Sequence, residues 1–358
     1  MITNPAWRRG AALSTLAGMA EHTEPTLRAL YSKASRRDFG RALAALLAAG
    51  AGVPPASAQG NALAKILLGA PPGGVGDLMA RRLADKLRGV YASAVVVENK
   101  PGAGGQLAVV ATKHAPTDGN LLLLTPSSLL SIYPHSYKKL PYRPEIDLAP
   151  VSLAAHANHA LGIGPAVPAA VRTLDDFVAW AKANPAQASY GSPASGSIPH
   201  LIMVVLAHAS GTPLTHVAYR GSVPALQDLR GGTLPALSGP LGAFLPHYKT
   251  GQVRLLAVSG DQRSALLPEL PTYREQGLPL TAREWYVFFM PAGTPEETIA
   301  RAAAALRAAL GQPDVAESFA QFGLEPAWST PAELAGLLKA DHDEWREQVR
   351  RVGFSADS

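Results

Sequence analysis

The residues best suited to chemistry in this chain are backbone amides rather than reactive side chains. Pro71-Pro-Gly-Gly-Val-Gly-Asp77 follows a short apolar run, Ile66 to Ala70. It leads into Leu78 to Arg88, where apolar residues at 78, 79, 83 and 87 share one helix face. Pro72, Gly73 and Gly74 continue neither element, which leaves the amides of the turn free to face a ligand. A strand, a glycine-rich turn and a helix start together make an anion site that needs no cationic side chain. The same stretch also reads as an ordinary strand-to-helix turn, with Asp77 complementing the helix N-terminus.

Turns of the same kind recur at 99–105, 126–128, 191–197 and 220–222, built from Gly, Ser and Pro between apolar strands and helix starts. Facing one another across a cleft, they would offer amides, small hydroxyls and helix N-termini. Each terminus contributes about 0.3–1 kcal/mol toward a bound anion. Lys and Arg are scarce in these loops, so recognition by neutral donors is expected, which suits a carboxylate that has to be released again.

The elements that position these turns alternate, as in an α/β fold with a largely parallel sheet. Strands are predicted at 66–70, 91–98, 120–125, 188–190, 216–219, 234–237 and 254–259, with separate extended segments at 151–153 and 160–163. Helices are predicted at 106–114, from Thr173 as N-cap, at 198–209, through Pro224 to Leu229, and at 296–310. The last helix opens on the capping box Thr330-Pro-Ala-Glu333.

With 358 residues, 47% hydrophobic and 16% charged, the chain is globular and long enough for two cored domains. It contains no cysteine, which excludes disulfides, thiolate metal sites, a cysteine nucleophile and a lipid anchor on cysteine. Ser35-Arg-Arg-Asp-Phe-Gly-Arg41, the apolar run Ala42 to Val53 and Ala56-Ser-Ala58 read as a twin-arginine signal peptide over 1–58. Translation from Met19 is an alternative start, since the stretch before Ser35 is long for such a leader. Residues 1–58 hold 7 Lys/Arg and 3 Asp/Glu of totals 32 and 27, leaving 25 against 24 and a net charge of +1. That balance argues against nucleic acid as a partner.

No G-x-S-x-G, H-E-x-x-H or G-x-x-x-x-G-K-[ST] motif occurs, and Met79 stands where a dinucleotide fingerprint needs Gly. His156 and His159 lack a third ligand, so no metal and no cofactor are expected. Arg81 and Arg82 read as a solvated helix face. Trp285 and Tyr286 read equally as a cleft floor or as core. A secreted serine hydrolase built on Ser192 or Ser197 with His200 is the rival enzymatic reading.

The mature chain resembles the Bug family, the extracytoplasmic solute-binding receptors of tripartite tricarboxylate transporters. The matching runs are Pro71-Pro-Gly-Gly-x-x-Asp77 with Ala80-Arg81, Val97-Glu-Asn-Lys-Pro-Gly-Ala-Gly-Gly105, and Leu140-Pro-Tyr142 with Asp147 and Pro150-Val-Ser152. Tyr190-Gly-Ser192, Gly196-Ser-x-x-His200-Leu201, Tyr219-Arg-Gly-x-x-Pro-Ala225 and Asp228-Leu-x-Gly-Gly232 follow. Gly251-Gln-Val-Arg-Leu-Leu-Ala-Val258, Leu270-Pro-Thr272 and Pro291-Ala-Gly-Thr-Pro295 complete the set, in family order from about 63 to 354.

The resemblance implies a two-lobed periplasmic-binding-protein fold that closes like a flytrap, with two crossings near 155–163 and 280–286. It places lobe 1 at 59–157 plus 284–358 and lobe 2 at 158–283. It further implies a monomer in the periplasm that holds a small organic acid and serves membrane subunits of a transporter. Carried over, the ligand carboxylate meets the Pro72–Val75 turn, with amides of Gly73, Gly74 and Val75, and the Ser127/Ser128 loop. Ser192, Ser197 and His200 approach from the other lobe, and Asp77 accepts from a ligand amine or hydroxyl. His200 at a helix start also reads as a packing or capping residue. A ligand-presenting partner of a membrane sensor would use the same fold. Gly69-Ala70, Asn120, Ala218 and Val204 depart from the family pattern, and the first pair leaves one pocket wall open. N-terminal sequencing of the exported protein is expected to begin at Gln59, and any other mature start overturns the cleavage site.

Overall fold

The computed structural model describes residues 61–356, so the signal peptide and its cleavage site lie outside the described residues. The chain enters on β1 (Asn61–Leu68), turns into α1 (Val75–Leu87), and returns through β2 (Ala92–Asn99) to α2 (Gln106–Lys113) and β3 (Leu121–Pro126). Three short helices, α3 (Ser128–Ser131), α4 (Tyr133–Ser136) and α5 (Pro144–Asp147), lead to β4 (Leu148–Ile163). Then come α6 (Leu174–Ala183), β5 (Ser189–Ser192), α7 (Ile198–Ser210), β6 (Thr215–Ala218), α8 (Ser222–Gly231), β7 (Ala236–Pro240), α9 (Leu241–Lys249) and β8 (Arg254–Val258). The chain continues through β9 (Arg283–Pro291), α10 (Glu296–Leu310), α11 (Pro313–Gln321), β10 (Leu324–Pro326) and α12 (Pro331–Val352).

Strand order is β2-β1-β3-β9-β4-β7-β5-β6, with β8 and β10 also on β4. The βαβ units give parallel pairs, β1 with β2 and β3, and β5 with β6 and β7. The middle is antiparallel: β9 on β3, and β9, β10, β7 and β8 on β4. The sheet is therefore mixed, which corrects the expectation of a largely parallel one. The segments 151–153 and 160–163 are also one strand, not two. Along its 16 residues, β4 changes company. Leu148 to Asn158 pair with β9, whereas His159 to Ile163 pair with β7 and Ala160 to Ile163 with β8. One continuous strand thus serves two halves of the sheet.

Helices cover both halves through apolar stripes. Ala302, Ala305, Leu306, Ala309 and Leu310 of α10 are buried at helical spacing and pack with Met79 and Leu83 of α1, Ile66, Leu122 and Phe319. In the other half Leu229, Phe244, Val253 and Val258 form a comparable cluster. Each Leu, Ile, Val, Met or Phe of these clusters contributes about 1.5–3 kcal/mol on burial. Thr173 and Thr330 both cap as full capping boxes, their side chains accepting from Asp176 and Glu333 amides.

The two glycine-rich turns of the first half meet at backbone distance. A Cβ on Gly69 would lie 2.5 Å from Gly105 Cα and 2.7 Å from its carbonyl oxygen. Neither neighbour is a flexible side-chain end, so any side chain at 69 forces the turns apart. The Gly69→Ala variant is expected to lose about 1–3 kcal/mol by denaturant unfolding. An unchanged midpoint would mean that this contact positions nothing.

Candidate ligand-binding site

A cavity of about 150 Å³ lies where the glycine-rich turns converge. Its walls come from residues 69–71 and 74–76, from the turns around 101–105, 193–199 and 219–222, and from 125–126 and 128–129, and His159, Glu284 and Tyr286 from the strands shared by the halves line it too. The wall at 74–76 is the start of α1. Gly74 is its N-cap in extended conformation, without a side-chain cap, and its carbonyl accepts from Asp77 and Leu78 amides, both at 3.0 Å. The amides of Gly74, Val75 and Gly76 find no partner among the described residues, as the first turn of a helix requires.

Asp77 does not line this cavity. Its buried carboxylate accepts from Gly73 N at 2.9 Å, from Arg81 Nε at 2.9 Å and Nη2 at 3.0 Å, and from Asn99 Nδ2 at 2.9 Å. Burial alone would raise its pKa, yet the bonds from Arg81, Gly73 and Asn99 outweigh that and hold it below the ordinary carboxylate value. Asp77 is therefore a brace for the turn rather than an acceptor for a ligand. Arg81, expected on a solvated face, is half-exposed yet held two-pronged on that carboxylate.

Of the other expected contacts, Gly74, Val75, Ser128 and Ser197 line the cavity, whereas Pro72, Gly73, Ser127, Ser192 and His200 do not. Pro72 is exposed, and the Gly73 amide is taken by Asp77. Ser127 and Ser128 are already occupied by a buried side chain. Glu284 Oε1 accepts from Ser127 Oγ at 2.8 Å and Ser128 N at 3.1 Å, and Oε2 accepts from Ser128 Oγ at 3.0 Å. Ser128 Oγ in turn accepts from Ile198 N at 3.2 Å, joining α3 to α7. Tyr286 lines the cavity and Trp285 sits in the core.

Glu284 and His159 line the cavity without having been expected there, and Arg220 does so from one of the expected turns. The one available signal for Glu284 was a charge abutting the apolar run Trp285 to Met290. Arg220 is exposed, lines the cavity, and has no hydrogen-bond or ion-pair partner among the described residues.

Ser192 and His200 belong to a packed cluster beside the cavity. Ser192 Oγ lies 3.0 Å from Ala194 O and 2.8 Å from His216 Nε2. His200 Nδ1 accepts from Gly196 N at 3.0 Å. The two imidazoles stack at 3.6 Å, and the Phe354 edge closes on His200 at 4.8 Å. Burial, reinforced by His216, pushes His200 from 6.5 down to about 3, and burial pushes His216 down to about 4. Both folded values lie below the unfolded one, so from about pH 6.5 downward the unfolded chain binds more protons and stability falls with pH. The melting temperature is expected to drop steadily from pH 7 toward 4, and His216→Gln should flatten that slope. A pH-independent melting temperature over this range would refute the assignment.

With this geometry in view, the comparisons with known proteins are specific. The model of the tripartite tricarboxylate transporter family receptor matches residues 79–354. Protein BugT of Bordetella pertussis is 34% identical over 289 residues, which is 79% of this chain and 87% of BugT. A solved Rhodopseudomonas palustris protein with adipate superposes at a TM-score of 0.78 with 27% identity, over 82% of this chain and 98% of that one. MatC of the same species, with bound malate, gives a TM-score of 0.74 and 26% identity over 80% and 98%. The chain belongs to the Bug family of tripartite tricarboxylate transporter receptors, and its fold is their two-lobed α/β fold.

Proposed function

We propose that the chain is a periplasmic, non-catalytic receptor that captures a small organic carboxylate between two lobes and delivers it to the membrane subunits of a tripartite transporter. The observation that carries this reading is the row of unpartnered amides at Gly74, Val75 and Gly76 on the wall of the cavity. Such a row at a helix start is an anion site. Arg220 lines the same cavity and adds a cation. The adipate and malate held by the two R. palustris relatives are acids of the expected size class.

We place the lobes at 59–157 plus 284–358 and at 158–283. The change of β4 partners between Asn158 and His159, and the Asn158–Arg283 pairing, support those limits. Among the described residues no helix is long and apolar enough to cross a membrane. The binder is favoured over a hydrolase because Ser192 is fully buried off the cavity and His200 is bonded to a backbone amide.

A melting-shift screen of mono-, di- and tricarboxylates should find an acid that stabilises the protein, by about 2.7 kcal/mol at a hundred times Kd. Gly74 has φ −75, which proline accepts, and a Cβ there would meet only Pro71 O at 3.5 Å. Gly74→Pro is therefore expected to keep the unliganded melting temperature and weaken acid binding about tenfold, the worth of one lost amide bond. Full-strength binding by this variant would rule out the amide grip. Delivery is tested by uptake of that acid in cells with and without this chain.

A further inference from the structure

A buried acid, Glu284, sits on the cavity wall. Glu284 is 3% exposed and forms no ion pair with Lys or Arg among the described residues. The Ser127 and Ser128 donors are directed mainly at Oε1, while Oε2 accepts only from Ser128 Oγ. A carboxylate has about four lone-pair positions, so Oε2 retains acceptor capacity. Asp341 lies near enough for the field of Glu284 to add to the burial that raises its pKa to about 6.

Beside it stands an unsatisfied imidazole. His159 is 2% exposed, lines the cavity, and has Nε2 3.4 Å from Glu284 Oε2. Neither of its ring nitrogens has a hydrogen-bond partner among the described residues. A buried polar group left so is costly, and a ligand that supplies a donor satisfies the acceptor nitrogen of the neutral ring. Ser127 and Ser128, with their hydroxyls committed to Glu284, cannot receive a ligand carboxylate. A second carboxylate placed there would meet a like charge in a site screened from water.

We propose that Glu284 and His159 form a subsite for an ammonium group, so that the acid captured is a small amino carboxylate. This rests on the carboxylate-capture reading above and adds polarity to it. The ligand carboxylate lies at the 74–76 amides and Arg220, and its ammonium lies at Glu284. The charge-assisted bond from an ammonium to the buried carboxylate is the discriminating contact.

The test is titration calorimetry of the purified protein against matched acids. The pairs are β-alanine and succinate, γ-aminobutyrate and glutarate, δ-aminovalerate and adipate, and norvaline and valerate. In the best-fitting pair the amino acid is expected to bind about tenfold or more tightly than its partner, the worth of a hydrogen bond to a charged group. Glu284→Gln should weaken the amino acid by a similar factor and strengthen the dicarboxylate. That gain cannot be imitated by a misfolded variant. Wild-type preference for the acids without nitrogen, left unchanged in Glu284→Gln, would overturn the ammonium subsite while leaving carboxylate capture intact. Failure of every acid to bind the wild type would overturn both.

Discussion

The cavity wall at residues 74–76 depends on one buried carboxylate with four donors. Asp77 ties the Gly73 amide, the Arg81 guanidinium on the next turn of α1 and Asn99 at the end of β2 to a single point. Asn99 also donates to Ala70 O, so the strand end and the turn are fixed together. Charge-assisted bonds of this kind are shorter and stronger than neutral ones. Their result is that the next three amides, at 74 to 76, are held in place with no internal acceptor. Pre-organisation of this sort lowers the entropy a ligand would otherwise have to surrender on ordering the loop.

What the sequence disclosed, and what it hid, divides along the range of the interactions. The helix at 296–310 was legible to the residue, because its apolar stripe and flanking prolines are local signals. The capping boxes at Thr173 and Thr330 were legible for the same reason. The mixed sheet was not. β9 is buried on both faces, and a continuous apolar run carries no period from which direction or partner can be read. The length of β4 was obscured by Pro150 and by alanines and histidines of low strand propensity.

The candidate site was legible in its loops and illegible in its polar pairings. The turns at 71–77, 126–128, 191–197 and 220–222 do surround one cavity. The partners of their side chains, however, come from far along the chain. Glu284 reaches Ser127 and Ser128 across more than 150 positions, and His216 reaches Ser192 across 24. No spacing rule reports such contacts. Serines that looked available for a ligand are committed to the protein, while Arg220, exposed within Tyr-Arg-Gly, is a cavity-lining cation left without a partner among the described residues.

The stretch after α12 gives the two halves a shared clasp. Ala356 N donates to Ser136 O on α4, while the Phe354 ring rests edge-on against His200 of α7. A hinge motion that separates α4 from α7 has to peel Phe354 from the imidazole or drag the strap along. In the proposed receptor, parting of the lobes would therefore work against Phe354 and Ala356, which do not line the cavity.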